Sequence, residues 1–191
     1  MTTPVEATAI VLAILYVGLA IRENRWCWPA AVGSSLLYLG VFAAAGLYMQ
    51  AVLQLFYAAM GFYGWWAWRP TVGEHGDTAG PLLIHRWPLR RHALAWCGIA
   101  TLATVNGWLL TRYSDAAFPY LDSAVMWAAV LTTWMVTRKL LENWLYWLVI
   151  DTVSGGLALA QGLYATVGLF AVYLALSVIG YRTWRRREAT A

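Results

Sequence analysis

The sequence predicts an all-α integral membrane protein with seven transmembrane helices. Of its 191 residues, 61% are apolar and only 12% are charged, whereas soluble domains carry about 25% charged residues. So few charges cannot cover a water-facing surface, which excludes a soluble domain. A spanning helix needs about 20 mostly apolar residues, and seven segments are long and apolar enough. They are 5–21, 27–45, 47–67, 93–111, 119–136, 144–161 and 163–181.

The positions of the basic residues predict how these helices cross the lipid bilayer. Loops 1–2, 3–4 and 5–6 and the C-terminal tail together carry every arginine and lysine except Arg112. With seven spans these four segments share one side, which the positive-inside rule makes the cytoplasm. The N-terminus is then outside and the C-terminus cytoplasmic. Basic residues placed in this way do not indicate nucleic acid as a partner, despite the net charge of +4.

The reactive side chains do not indicate an enzyme, a metal site or a cofactor. Cys27 and Cys97 fall near predicted cytoplasmic ends of spans, and we expect both to be buried, reduced thiols. An intramembrane enzyme would need a nucleophile–base pair at depth, and Ser34 and Ser35 have no histidine within predicted reach. A membrane assembly subunit without transport activity remains an alternative.

The two halves of the chain are predicted to be repeats. Residues 46–69 and 162–185 align without gaps at an offset of 116. Upstream the alignment slips to an offset of 119, which makes Trp147 the counterpart of Trp28. Because one helix separates the two triplets, we expect parallel three-helix repeats with substrate bound near the membrane midplane between them. The domains are 1–69 (first repeat), 70–112 (cytoplasmic loop and linker helix) and 113–191 (second repeat and tail).

Polar side chains within the hydrocarbon are costly and tend to mark a substrate path. Asp151 is expected near the middle of span 6, and Gln54 and Asn106 near mid-depth. Trp28 and Trp147 lie one turn inside the membrane, where they could be interfacial anchors or substrate contacts. Aromatic faces and a carboxylate both attract cations. This chemistry predicts a small, flat, positively charged ligand with hydroxyl groups, and it disfavours a phosphorylated one.

Several motifs resemble the PnuC family of nicotinamide riboside transporters. They are Glu23-Asn24-Arg25-Trp26-Cys27-Trp28-Pro29, Tyr63-Gly64-Trp65-Trp66-Ala67-Trp68, Phe118-Pro119-Tyr120-Leu121-Asp122-Ser123, Glu142-Asn143-Trp144-Leu145-Tyr146-Trp147 and Gln161-Gly162-Leu163-Tyr164. The resemblance runs from about residue 5 to 185. It implies a 3+1+3 arrangement of seven helices like that of the SWEET sugar transporters, commonly as a homotrimer, in the bacterial inner membrane.

The resemblance also implies a function, which is facilitated diffusion of a vitamin precursor for NAD biosynthesis. A cytoplasmic kinase then traps the product by phosphorylation. Relatives are thought to carry thiamine or riboflavin, and thiamine is also a flat cation, so it remains an alternative substrate. Several members have an asparagine where Asp151 stands. The substrate contacts that the resemblance implies are Gln54, Tyr57, Asn106, Trp147, Asp151, Trp28, Tyr48, Asn143 and Tyr164.

Overall fold

Seven α-helices make up most of the structure, which is a computed structural model. It describes residues 4–44, 48–69, 71–72, 78–79, 82–114, 117–162 and 164–189, and for 48–50, 52, 71–72, 78–79 and 165 only the backbone. The helices are α1 (Pro4–Ile21), α2 (Cys27–Ala44), α3 (Tyr48–Ala67), α4 (Leu89–Tyr113), α5 (Pro119–Thr137), α6 (Asn143–Ala160) and α7 (Tyr164–Glu188). Each predicted span corresponds to one helix.

The departures from the predicted spans lie in loop 3–4 and at the helix ends. Strands β1 (Thr71–Val72) and β2 (Thr78–Ala79) form a two-residue antiparallel pair in the loop between spans 3 and 4, where no strand is predicted from the sequence. Helix α7 continues to Glu188, so the arginines expected in a free tail lie on its last turns. Arginine is a good helix former, which explains why the helix outlasts its apolar stretch.

Four of the described helices are long and apolar enough to cross a membrane by length and composition. They are Pro4–Ile21, Cys27–Ala44, Leu89–Tyr113 and the Thr166–Glu188 part of α7. Helices α5 and α6 are not among them and contain several polar and aromatic residues; α3 is not among them either, and four of its side chains lie outside the described residues. Six of the nine predicted substrate contacts lie on α3 and α6, and their roles remain predictions.

The chain divides into two compact units, which we describe separately. Unit 1 comprises Met1–Ile84, Val136–Lys139 and Arg186–Ala191, and unit 2 comprises His85–Met135 and Leu140–Arg185. The three-domain division expected from the sequence remains a prediction.

In unit 1, α2 packs against both α1 and α3. The buried Ser34 hydroxyl donates a 2.9 Å hydrogen bond to the Ala9 carbonyl and so ties α2 to α1. In unit 2, residues Ile99, Ala128, Ala129, Met135, Leu140, Tyr146 and Ile150 form a buried apolar cluster. Helix α5 approaches α4 closely at Gly107, where a Cβ would overlap the Tyr120 side chain.

One packing motif occurs in both units. In unit 1 the buried Trp28 indole lies against Gly64 and meets Trp68 edge to face, with ring centroids 5.2 Å apart at 85°. In unit 2 the Trp144 indole lies against Gly180 and meets Trp184 in the same way, at 5.4 Å and 89°. Each residue of the second set lies 116 positions after its counterpart in the first.

The helix connections follow the same register. Helices α1 and α5 both end in a Schellman motif, with Asn24 N–H donating to Leu19 and Leu140 N–H to Met135, each at 3.0 Å. The residue in the left-handed conformation is Glu23 in one motif and Lys139 in the other. The register of 116 therefore continues upstream. The predicted slip to 119 is wrong, because Trp28 corresponds to Trp144 and not to Trp147.

Replacing Gly64 or Gly180 with alanine is expected to destabilise the protein by about 1–3 kcal/mol, because the added methyl group would overpack the adjacent indole. The melting temperature in detergent should fall for both variants. Gly40→Ala and Gly156→Ala are matched controls, since a Cβ at these helical positions meets nothing within 4 Å. An equal fall in all four variants would show that the loss is the same at any helical glycine and that the indole contacts are unimportant.

Candidate functional site

Helix α6 places Asn143, Trp147 and Asp151 on one face. They follow one another at intervals of four residues, and side chains at that spacing share a face of a helix. Eight residues of helix separate the outer two, which corresponds to about 12 Å along the axis. We call these three residues the α6 stripe.

Asp151 is a buried carboxylate with no counter-ion among the residues that the structure describes. Asp151 is 5% exposed. Within the described ranges its carboxylate makes no hydrogen bond or ion pair. A buried charge is costly unless a charge or hydrogen bond compensates it. The site is therefore suited to a ligand that brings a positive charge.

Asn143 has one satisfied and one unsatisfied polar atom. Its Nδ2 donates a 2.6 Å hydrogen bond to the Leu140 carbonyl, which fixes the orientation of the amide. The Oδ1 atom is buried and accepts no hydrogen bond from any residue that the structure describes. Buried acceptors are rarely left unpaired, so this oxygen lacks a donor; because Asn143 is 0% exposed, a ligand hydroxyl or amide group would reach it only after the surrounding side chains move.

Trp147 lies between these two polar groups. It is partly buried and packs against the apolar cluster of unit 2. Unlike its neighbour Trp144, it has no part in the Trp144–Gly180–Trp184 motif. Its ring is consequently the aromatic face of the stripe that remains suited to stacking on a flat ligand.

The stripe has no counterpart 116 positions earlier in the chain. At the register of 116, Cys27 corresponds to Asn143, Ala31 to Trp147, and Ser35 to Asp151. The amide, the ring and the carboxylate of the stripe all lie in the part of the chain that is predicted to be the second repeat.

The other predicted contacts have varied surroundings. Asn106 on α4 donates a 3.0 Å hydrogen bond to the Ser123 hydroxyl of α5, which in turn donates to the Pro119 carbonyl. Gln54 and Tyr57 are partly buried on α3, three residues apart. Their roles as substrate contacts remain predictions.

Three predicted contacts are less favourably placed. Trp28 is 1% exposed and is enclosed by Tyr16, Gly64 and Trp68, so its surroundings are those of a packing residue. Tyr164 is 74% exposed at the start of α7. The side chain of Tyr48 lies outside the described residues. None of the three lies on the α6 stripe.

The two cysteines differ in their surroundings. Cys27 is a buried free thiol, as expected, and it belongs to the turn that starts α2. Cys97 is also free but exposed. The prediction of a buried thiol is wrong for Cys97, because this side chain lies on the outward face of α4, beside exposed Trp96.

The charged residues of the connections form an ion-pair cluster that the sequence did not reveal. Glu23 is bound by Lys139 and Arg187, each at 2.8 Å. These contacts bring the α1–α2 connection, the α5–α6 connection and the end of α7 together within unit 1. From the sequence, Glu23 entered only a family motif, and Lys139 and Arg187 entered only the count of basic residues. The one feature of the sequence that could have pointed to the cluster is the spacing of 116 residues between Glu23 and Lys139, which equals the repeat offset.

The profile of the nicotinamide mononucleotide transporter family matches residues 3–186. The chain belongs to that family. The nicotinamide riboside transporter PnuC of Escherichia coli (strain K12) is 26% identical to it over 205 residues, which cover 94% of this chain and 84% of the relative. The riboflavin/roseoflavin transporter RibM of Streptomyces davaonensis is 27% identical over 185 residues, which cover 93% of this chain and 83% of RibM.

A crystal structure of the vitamin B3 transporter PnuC has the same fold. It matches with a TM-score of 0.76 and 22% sequence identity over 97% of this chain and 82% of the other. The resemblance inferred from the sequence motifs is thereby confirmed. Family membership and the four strongly apolar helices show that this is a multi-pass membrane protein.

Proposed function

We propose that this protein carries nicotinamide riboside across the bacterial inner membrane by facilitated diffusion. A cytoplasmic kinase would then phosphorylate the product and prevent its return. The observation that carries the proposal is the buried carboxylate of Asp151, which has no partner among the described residues, on a helix of a vitamin-transporter family member. The pyridinium ring of nicotinamide riboside is flat and permanently cationic, and its ribose supplies hydroxyl donors.

The α6 stripe supports a specific division of roles. Asp151 balances the charge of the ring, Trp147 stacks on it, and Asn143 Oδ1 accepts a hydrogen bond from a ribose hydroxyl or from the carboxamide. Because Asn143 and Asp151 are about 12 Å apart along the helix, they suit opposite ends of an elongated ligand. The proposed contacts from Gln54, Tyr57 and Asn106 would add further amide and hydroxyl groups.

Riboflavin is the second candidate, because RibM is as similar to this chain as PnuC is. Riboflavin is flat and rich in hydroxyl groups, but it is uncharged, so it would leave Asp151 without a counter-ion. Thiamine is cationic and remains compatible with Asp151. A mononucleotide would bring a phosphate into the same site as a carboxylate, and like charges repel strongly in a medium of low dielectric constant.

Uptake into proteoliposomes tests the proposal. Vesicles containing the purified protein should take up labelled nicotinamide riboside in a saturable way, and thiamine or riboflavin should compete weakly. Uptake should stop when the internal concentration equals the external one and should be insensitive to ionophores. Enclosing a nicotinamide riboside kinase with ATP should then convert equilibration into accumulation.

Each alternative gives a different result in these vesicles. Preferred uptake of riboflavin or thiamine would identify another substrate within the same function. Accumulation against a gradient without the kinase would replace facilitated diffusion by coupled transport. Saturable uptake of none of the three vitamins would contradict the transport proposal and favour an assembly subunit.

The membrane arrangement completes the proposal. We take the protein to be a homotrimer with its N-terminus outside and its C-terminus in the cytoplasm, supported by the family resemblance and by the distribution of basic residues. Native mass spectrometry measures the oligomeric state. Labelling of single cysteines introduced at residues 6 and 185, in intact cells with a membrane-impermeant reagent, measures the orientation.

A further inference from the structure

Glu23 holds together three segments that are far apart in the sequence. Its Oε2 atom lies 2.8 Å from Lys139 Nζ, and its Oε1 atom lies 2.8 Å from a guanidinium nitrogen of Arg187. The same Arg187 nitrogen donates a 2.9 Å hydrogen bond to the Arg22 carbonyl. Both carboxylate oxygens are therefore used, and each partner comes from a different connection or helix end. We call Glu23, Lys139 and Arg187 the ionic clasp.

The surroundings of the clasp strengthen the Glu23–Lys139 pair in particular, because the Arg187 side chain is 45% exposed. The side chain of Lys139 is 5% exposed and that of Glu23 is 18% exposed, and water weakens partly buried pairs less than surface pairs. The Lys139 ammonium also lies 4.9 Å from the ring of Trp68. The Trp68 indole N–H donates to the Thr137 carbonyl at 3.1 Å, which fixes the ring next to the α5–α6 connection.

Glu23 carries its charge under physiological conditions. Burial by itself raises the pKa of this carboxyl, but the hydrogen bonds and charges of Arg187 and Lys139 outweigh burial and hold the pKa below its ordinary value. A carboxyl with a lowered pKa stabilises the folded state above its ordinary pKa, and that contribution is lost as the pH falls through the lowered value. The clasp is accordingly closed at neutral pH.

The backbone at the clasp is in an unfavourable conformation. Glu23 and Lys139 have φ values of 56° and 52°, in the left-handed region where a Schellman motif usually has glycine. Such a conformation costs a residue with a side chain about 1 kcal/mol or more. Glycine would form both turns more easily. Glu23 and Lys139 nevertheless occupy these two equivalent positions and carry opposite charges. This indicates that the ion pair between them, rather than the turn, accounts for these residues.

We propose that the ionic clasp closes the protein at the end where these connections lie, and that it must open each time a vitamin leaves there. The inference rests on the proposed transport function. All three residues lie in unit 1, but Glu23 follows α1 of the predicted first repeat, whereas Lys139 and Arg187 lie at the ends of α5 and α7 of the predicted second repeat. A rocking motion of the two repeats therefore separates Glu23 from its partners, and the strength of the clasp sets how often this end opens.

Locking the clasp covalently tests whether it opens. In a Cys97→Ala background, Glu23→Cys and Lys139→Cys can be bridged by a reducible bis-methanethiosulfonate linker, while Cys27 is buried. Bridging is expected to lower uptake of nicotinamide riboside about tenfold or more, because a bridged clasp cannot open and opening steps limit the rate of many such cycles. Binding measured in detergent should persist, and dithiothreitol should restore uptake.

The locked protein contains its own control. Equal uptake with and without the linker would overturn the proposal that the clasp opens during transport, because a merely structural contact can stay closed throughout the cycle. Absence of uptake in the unreacted wild-type vesicles would instead overturn the proposed transport function. The two failures are thus distinguishable in one set of vesicles.

Weakening the clasp provides a second test. Lys139→Met should raise the KM for external nicotinamide riboside about fivefold or more, because fewer molecules remain closed at the far end and ready to bind from outside. Arg138→Met is the matched control, since its guanidinium is exposed and makes a 3.4 Å hydrogen bond to the Tyr63 hydroxyl. Identical KM values for the two variants would overturn the proposal.

Discussion

Replacing Asp151 with asparagine is expected to weaken binding of nicotinamide riboside about 30- to 1000-fold, since loss of one partner of a buried charge pair costs about 2–4 kcal/mol. Asparagine has the same shape and can still accept a hydrogen bond, so the variant removes the charge alone. The effect should be large because Asp151 has no other counter-ion in the described ranges.

The contribution of the ligand's charge to binding can be separated from that of its shape. Dihydronicotinamide riboside has nearly the same outline but an uncharged ring, and its affinity should be unaffected or improved by Asp151→Asn. Isothermal titration of the purified protein with both ligands measures the difference. An equal loss for the two ligands would show that Asp151 has a structural role.

A second carboxylate serves as the control for this experiment. Asp122 lies in the first turn of α5 and is exposed. Asp122→Asn changes the net charge by the same amount but should leave both affinities within about twofold, because water screens an exposed charge. A comparable loss in this variant would mean that the general negative potential of the protein attracts the cation.

The helices could be predicted closely from apolar length. Span 27–45 corresponds to Cys27–Ala44 and span 47–67 to Tyr48–Ala67. The end of α7 could not be predicted in this way, because hydropathy detects the lipid boundary and not the end of the helix. Arginines stop an apolar stretch, yet they continue a helix without strain.

The register of the repeat shows a different limit of sequence comparison. Aligning Trp28 with Trp147 at an offset of 119 introduced a slip of three residues. In the structure the position of Glu23 is occupied by Lys139, and Trp28 corresponds to Trp144. The turn geometry and the indole–glycine contact are what the two halves share. Identical residues at different positions have different roles.

Parts of the candidate site were also accessible from the sequence. A carboxylate in the middle of an apolar span is costly and therefore marks a functional site. Asp151 could for this reason be predicted as a site residue from the sequence alone. The ionic clasp could not, because its ion pairs join residues 116 and 164 positions apart. The distinction between Trp144 and Trp147 also required the structure, since both occur in one Trp-rich turn.

Replacing Trp147 with alanine is expected to weaken binding of nicotinamide riboside about 10- to 100-fold, since stacking of one base on an aromatic side chain contributes about 1–3 kcal/mol. Trp147→Phe retains an aromatic face and should recover most of this loss. The same titrations measure both variants. The reason for the expected effect is the position of the ring between Asn143 and Asp151 on the α6 stripe.

Loss of packing must be separated from loss of stacking, because Trp147 also contacts the apolar cluster of unit 2. Trp134 packs against the same cluster, with its ring 5.7 Å from Trp87, but lies off the stripe. Trp134→Ala should lower the melting temperature about as much as Trp147→Ala does, with affinity almost unchanged. If both variants lose affinity in proportion to their stability, the ring of Trp147 acts through the fold. If only Trp147→Ala loses affinity and Trp147→Phe restores it, the aromatic face itself contacts the vitamin.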